Sequence, residues 1–125
     1  MPAAPEGQPA SGGMFRRWFS RRVVVADESM APTLRPGDRL LVDRRAYRRR
    51  LPVVGQVVVL DDPERPGRWL VKRVSAVDGS AGVVEVRGDA LDRARDSRRF
   101  GPVPLGSVVG LVYRLYHPPS RRRNL

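Results

Sequence analysis

This sequence predicts an all-β fold, either a partly open barrel or a coiled sheet. Three observations point there. Short runs rich in valine and leucine recur along the chain, punctuated by glycine and proline, 12 of each among 125 residues. No helical pattern of about ten residues competes with them. No internal repeat is visible that would turn the runs into a solenoid.

Residues 1–13 (MPAAPEGQPASGG) have little to bury and read as a disordered tail. Residues 14–22 (MFRRWFSRR) interleave Phe15, Trp18 and Phe19 with arginines. Such a segment suits a strap packing its aromatics on the domain, or a membrane interface. A globular domain is expected over residues 23–119, beginning with a strand at 23–26. Arg35-Pro36-Gly37-Asp38 reads as a turn, proline setting φ and glycine allowing φ > 0. It feeds a strand at 39–43. Gly55 opens the run 57–60, and residues 63–67 (PERPG) turn the chain into a strand at 69–77. A turn at 78–82 leads to a strand at 83–87. After an irregular arginine-rich stretch comes a last strand at 108–116, and residues 120–125 form a basic tail.

Composition narrows the chemistry. At 125 residues and 41% hydrophobic, the chain supports one domain with one core. There is no cysteine, which removes disulfides, thiol catalysis and cysteine-held zinc. The lone histidine, His117, sits between Tyr116 and Pro118, so a Ser-His-Asp triad would have to use that residue. The 24 basic residues are 23 arginines and one lysine, Lys72. Arginine therefore fills nearly every generic positive position. A lone lysine is open to a role that needs a proton given up near neutral pH, or is simply the one that survived the bias.

The net charge of +11 calls for an acidic partner, nucleic acid or an anionic membrane surface. No helix-turn-helix pattern, RNA-binding signature or zinc ligand set accompanies the arginine clusters, so specific nucleic-acid binding is not expected. No run approaches the roughly 18 apolar residues of a transmembrane helix, and no apolar signal core opens the chain. The expectation is a cytoplasmic protein, peripheral at the inner face of the cell membrane through weak contact of residues 16–22 with anionic lipid.

Ser29 lies in Ser29-Met30-Ala31-Pro32-Thr33-Leu34, where Pro32 stiffens the turn and presents the serine on a fixed corner. Serine needs a base to become a nucleophile, and Lys72 is the remaining strong candidate. On a strand, Leu70, Lys72 and Val74 share one apolar face. Burial there disfavours the charged amine and lowers its pKa toward the range of a general base. An edge-strand lysine snorkelling to water is the alternative. Met30 and Pro32, on the serine corner, are the expected substrate contacts.

These segments resemble the ordered boxes of the type I signal peptidases: SMxPTL, then Gly37-Asp38 with Leu40-Leu41-Val42, then Lys72-Arg73-Val74. A fourth box is Gly88-Asp89 with Asp96-Ser97-Arg98 and residues 100–104 (FGPVP). The resemblance spans roughly residues 23–119. It implies a mostly antiparallel β-fold and a Ser/Lys dyad that cleaves a protein substrate after small residues through an acyl-enzyme. Ser29 matches the nucleophile, Lys72 the general base, and Asp96, Ser97 and Arg98 a supporting element. No metal or other cofactor is implied. Residues 100–121 (FGPVPLGSVVGLVYRLYHPPSR) are similar to the mitochondrial inner-membrane peptidase branch, and the lack of an anchor is similar to the small maturation proteases of nickel superoxide dismutase. Three positions depart from the family. Asp27 stands where a small or hydroxyl residue lines the oxyanion hole, and is expected to point away, leaving the Ser29 N–H as donor. Ala94 replaces a serine that orients the lysine, and Ala90 replaces an asparagine. Two other readings stay open: a weak or non-catalytic β-domain binding an acidic partner, and a self-cleaving repressor-type regulator.

Overall fold

The computed structural model describes residues 20–90 and 95–125. The expectations for residues 1–13 and for Ala94 lie outside the described residues, as does most of the segment 14–22. The fold is mostly antiparallel β, as the sequence predicts. Eight strands make one sheet: β1 (Ser20–Val24), β2 (Arg39–Asp43), β3 (Val57–Asp61), β4 (Trp69–Asp78), β5 (Val83–Arg87), β6 (Val103–Pro104), β7 (Val108–His117) and β8 (Arg123–Asn124). The order is β1-β2-β7-β3-β4-β5-β6, with β8 paired to β7, and every pairing is antiparallel. Among the described residues one short helix, α1 (Ser97–Phe100), interrupts the arginine-rich stretch.

The sheet curls on itself. In a flat sheet, β1 and the start of β4 would lie ~19 Å apart, four strand spacings. Instead the Arg21 guanidinium stacks 5.2 Å from the centre of the Trp69 ring. Register shifts within the β2–β7 and β4–β5 pairings supply the local bends. Gly110 lets β7 press onto β2, because a Cβ there would run into the Asp43 carbonyl.

Curling gives the sheet two buried faces, and alternation divides the side chains between them. Val57 and Val59 of β3 join Leu40, Val42, Val112 and Leu115 on one face, together with Val25, Met30 and Leu34. Val58 and Leu60 turn the other way, toward Leu70, Val74, Val84, Val86 and Val103. The first cluster thus anchors the segment that carries Ser29. The second lies on the face of β4 that carries Lys72.

Candidate active site

The segment between β1 and β2 is a closed loop. Its base is tied by Val25 N–H to Asp38 O at 2.9 Å and Gly37 N–H to Val25 O at 2.8 Å. Within it, Ala31 N–H bonds to Glu28 O and Leu34 N–H to Met30 O, at 3.0 and 2.9 Å. Met30 and Leu34, at 1% and 0% exposure, root this turn in the core. Met30 is therefore a packing residue, because its side chain is consumed by the first cluster; the expectation of substrate contact is left to Pro32, which is exposed. Ser29 is 7% exposed.

Lys72 lies on β4, opposite Val58 of β3. It is 2% exposed, between Leu70 and Val74 on the same face, so the snorkelling alternative does not describe it. Among the described residues its side-chain amine makes no hydrogen bond or ion pair. Burial is the largest influence on the amine and pushes its pKa below the ordinary 10.5; the charges of Asp27, Asp96 and Asp62 oppose this, and that of Arg95 assists it.

Residues 88–90 join the serine loop to β4. Ala90 N–H donates to Ser29 O at 2.9 Å. Asp89 accepts the Thr33 hydroxyl at 2.7 Å, and Arg73 grips the same carboxylate with Nε and Nη2 at 2.9 and 2.8 Å. The residue after Lys72 is thereby linked, through one carboxylate, to the turn that bears Ser29. Asp96 holds this connection in place. Its carboxylate, 1% exposed, accepts Gly88 N–H at 3.0 Å and Arg98 Nη2 at 2.7 Å. It also caps α1 by accepting Arg98 N–H, also at 3.0 Å. Burial works to raise the Asp96 pKa, but these donors and the Arg98 charge outweigh it and bring it to about 2. Ser97 completes the set, its hydroxyl accepting Val86 N–H of β5 at 2.8 Å. Asp96, Ser97 and Arg98 are thus gathered behind the segment that ties the serine loop to β4.

Asp27 does not point away. Its Oδ1 accepts Ser29 N–H at 3.0 Å. The cause is local: an aspartate readily accepts the backbone N–H two residues on, forming an Asx-turn. Burial tends to raise the Asp27 pKa, yet the polar groups of Ser29, with the charges of Lys72 and Arg95, leave it lowered. An anion therefore occupies the N–H expected to be free.

Arg95 is a member of this charge cluster that the sequence reading missed. It chelates Asp62 at 2.8 and 2.6 Å and reaches Glu64 at 2.9 Å. Asp62, at the end of β3, has its pKa lowered to about 2, chiefly by this bond. Nothing in the arginine-rich stretch 93–99 marked Arg95; its only signal was adjacency to Asp96. No set of three His, Cys, Asp or Glu side chains among the described residues is arranged to hold a metal.

A family model described as signal peptidase, peptidase S26, matches residues 10–92, a span that includes Ser29 and Lys72 and stops short of Asp96. Among curated relatives, the mitochondrial ATP-independent inner membrane protease subunit 1b of Arabidopsis thaliana is 38% identical, covering 67% of this chain and 62% of its own length. The mitochondrial inner membrane protease subunit 1 of Xenopus tropicalis is 30% identical, covering 72% of this chain and 65% of its own. A probable signal peptidase I-1 of Synechocystis is 26% identical over 86% of this chain and 76% of its own length. The chain thus spans somewhat under two thirds of the first two relatives. No helix among the described residues is long and apolar enough to cross a membrane. The span of the match, and relatives at this level of identity, make the chain a member of the signal peptidase, peptidase S26, family.

Proposed function

We propose that the chain is a serine endopeptidase in which Ser29 is the nucleophile and Lys72 the general base, and that it removes an N-terminal extension or signal peptide from a protein substrate. The observation that carries this reading is Lys72 itself: a lysine at 2% exposure on an apolar strand face, with its pKa lowered first of all by burial. A structural lysine in such a place would need a carboxylate within hydrogen-bonding reach. A base needs the opposite, an amine that gives up its proton and keeps a lone pair available.

The neutral Lys72 amine takes the proton of the Ser29 hydroxyl as Oγ attacks the scissile carbonyl. The ammonium then returns that proton to the leaving amine, which breaks the C–N bond and leaves an ester on Ser29. Water, deprotonated by the same amine, attacks the ester; the C–O bond to Ser29 breaks, Oγ takes the proton back from the ammonium, and the acid is released. Ser29 N–H is the donor available to the tetrahedral oxyanion, once the substrate carbonyl displaces the Asp27 carboxylate from it. Asp96, Ser97 and Arg98 act behind the site, keeping residues 88–90 in contact with both the serine loop and β4. Several relatives carry the name protease, which supports a hydrolytic role.

The test compares folded variants on a peptide or precursor substrate by mass spectrometry. Ser29→Ala should abolish cleavage, and Lys72→Ala nearly so. Lys72→Arg keeps the charge but cannot deprotonate in this range, and is expected to be as inactive as Lys72→Ala. A Lys72→Arg variant that cleaves at near the wild-type rate would overturn the mechanism.

A further inference from the structure

We infer that the connection between β2 and β3, residues 44–56, is a docking surface for an anionic phospholipid bilayer. The connection surrounds a cavity of about 500 Å³, lined by Arg45, Arg48, Arg49 and Arg50, with Asp43 as its one acidic wall residue. Arg48, Arg49 and Arg50 are exposed. Immediately after them the chain turns apolar and stays in water: Leu51, Val53 and Val54 are 47%, 59% and 61% exposed. Single exposed aliphatics are ordinary on protein surfaces, but three within four residues, bordered by three consecutive arginines, form a patch of mixed character.

The local structure holds this patch outward. Pro52 is buried between the exposed residues and pins the segment from beneath. The Gln56 side-chain oxygen accepts both the Tyr47 hydroxyl at 2.7 Å and Val53 N–H at 2.9 Å, bracing the two halves of the connection. Gln56 N–H closes back on Val53 O at 3.0 Å. Leu51 leans on Gly79 in the β4–β5 turn, so closely that a Cβ there would displace it. Among the described residues Val53 and Val54 are thus largely uncovered, with a braced backbone behind them.

A bilayer with anionic headgroups meets both halves of the patch. Phosphates satisfy guanidinium groups bidentately, and the short apolar tip reaches the boundary between headgroup and acyl chain. A nucleic acid would satisfy the arginines alone, since aliphatic side chains have no stacking surface for bases. This surface is distinct from the N-terminal segment 14–22, and the inference does not depend on the peptidase mechanism. It can be read in the inactive Ser29→Ala protein.

Sedimentation of the full chain with phosphatidylcholine vesicles, with and without about 30% phosphatidylserine, tests it. The wild type should bind the anionic vesicles and leave the neutral ones. Arg48→Gln/Arg49→Gln/Arg50→Gln should weaken binding about a hundredfold, near fivefold per arginine. Arg65→Gln/Arg68→Gln/Arg87→Gln removes the same charge from exposed sites elsewhere and should cost far less. Val53→Ser/Val54→Ser should weaken binding about tenfold and leave the remainder more sensitive to salt. Cleavage of a soluble peptide should be unchanged in all three. Equal losses from the two arginine triples would overturn the inference, because net charge alone would then explain binding. So would unchanged binding in the loop triple, or a preference of the wild type for RNA over anionic vesicles.

Discussion

Asp27 and Lys72 define the site by opposite electrostatic influences. Burial withdraws the charge from Lys72, while the Asp27 carboxylate favours keeping it. The rate of cleavage should therefore rise with pH as the amine loses its proton and level off below the ordinary lysine value of 10.5. Asp27→Ser removes both the anion on the Ser29 N–H and the charge that favours the ammonium. Its rising limb should move to lower pH, and its plateau should be higher by about tenfold, a modest fraction of what one oxyanion donor contributes. A pH–rate series on both proteins checks this; an unmoved limb and an unchanged plateau would show that Asp27 vacates the site without cost. The burial of Lys72 was legible in the sequence because alternation along β4 puts it on the apolar face with Leu70 and Val74. The role of Asp27 was misread because an oxyanion hole is a non-local requirement, whereas the Asx-turn that decided the outcome needs only residues 27 and 29.

Among the elements, the returning segment after β7 bears most on the loop of Ser29. Arg121 grips Asp38 at 3.0 and 2.9 Å and donates to Thr33 O at 3.3 Å. Arg123, on β8, donates to the same carbonyl. Asp38 is buried, with a side-chain exposure of 3%, and also takes Arg35 N–H at 2.8 Å. Arg121→Gln leaves that carboxylate without its cation and should destabilise the fold measurably, though by less than the loss of a fully buried pair because Arg121 is itself partly in water. It should also lower kcat, because Thr33 and the turn bearing Ser29 lose their outer support. Thermal denaturation with cleavage assays checks both, and Asp38→Asn added to Arg121→Gln should recover part of the stability. Residues 120–125 read in the sequence as a basic tail, because a two-residue strand has no periodicity and the partner of Arg121 lies 83 positions away.

For the molecule as a whole, the five longer strands after β1 were legible because each couples alternation to a glycine or proline boundary. β1 was displaced toward the N-terminus, and β6, β8 and α1 went unseen, being two to four residues long. The coiling of the sheet was expected from the many short strands; where it bends was not, since that depends on register shifts that composition does not reveal. Charge has a global consequence too. Asp62 and Asp96 have folded pKa values lowered from 3.8 to about 2. A lowered carboxylate stabilises the fold fully above its unfolded value and loses that contribution as pH falls through the folded one. Stability should thus hold from neutral pH to about 4 and drop between about 4 and 2, by roughly 2 kcal/mol for each group. Denaturant titrations across that range check it, and Asp62→Asn should flatten part of the slope.

The grip of Arg121 and Arg123 on the loop of Ser29 sets an order of events during synthesis. The serine is made early, and the arginines that fasten its loop come 88 and 90 residues after Thr33. Until they leave the ribosome, Asp38 has no cation and the Thr33 carbonyl no side-chain donor. Ser29 thus emerges well before the residues that fasten its turn, so a nascent chain carries the serine corner before it is mounted.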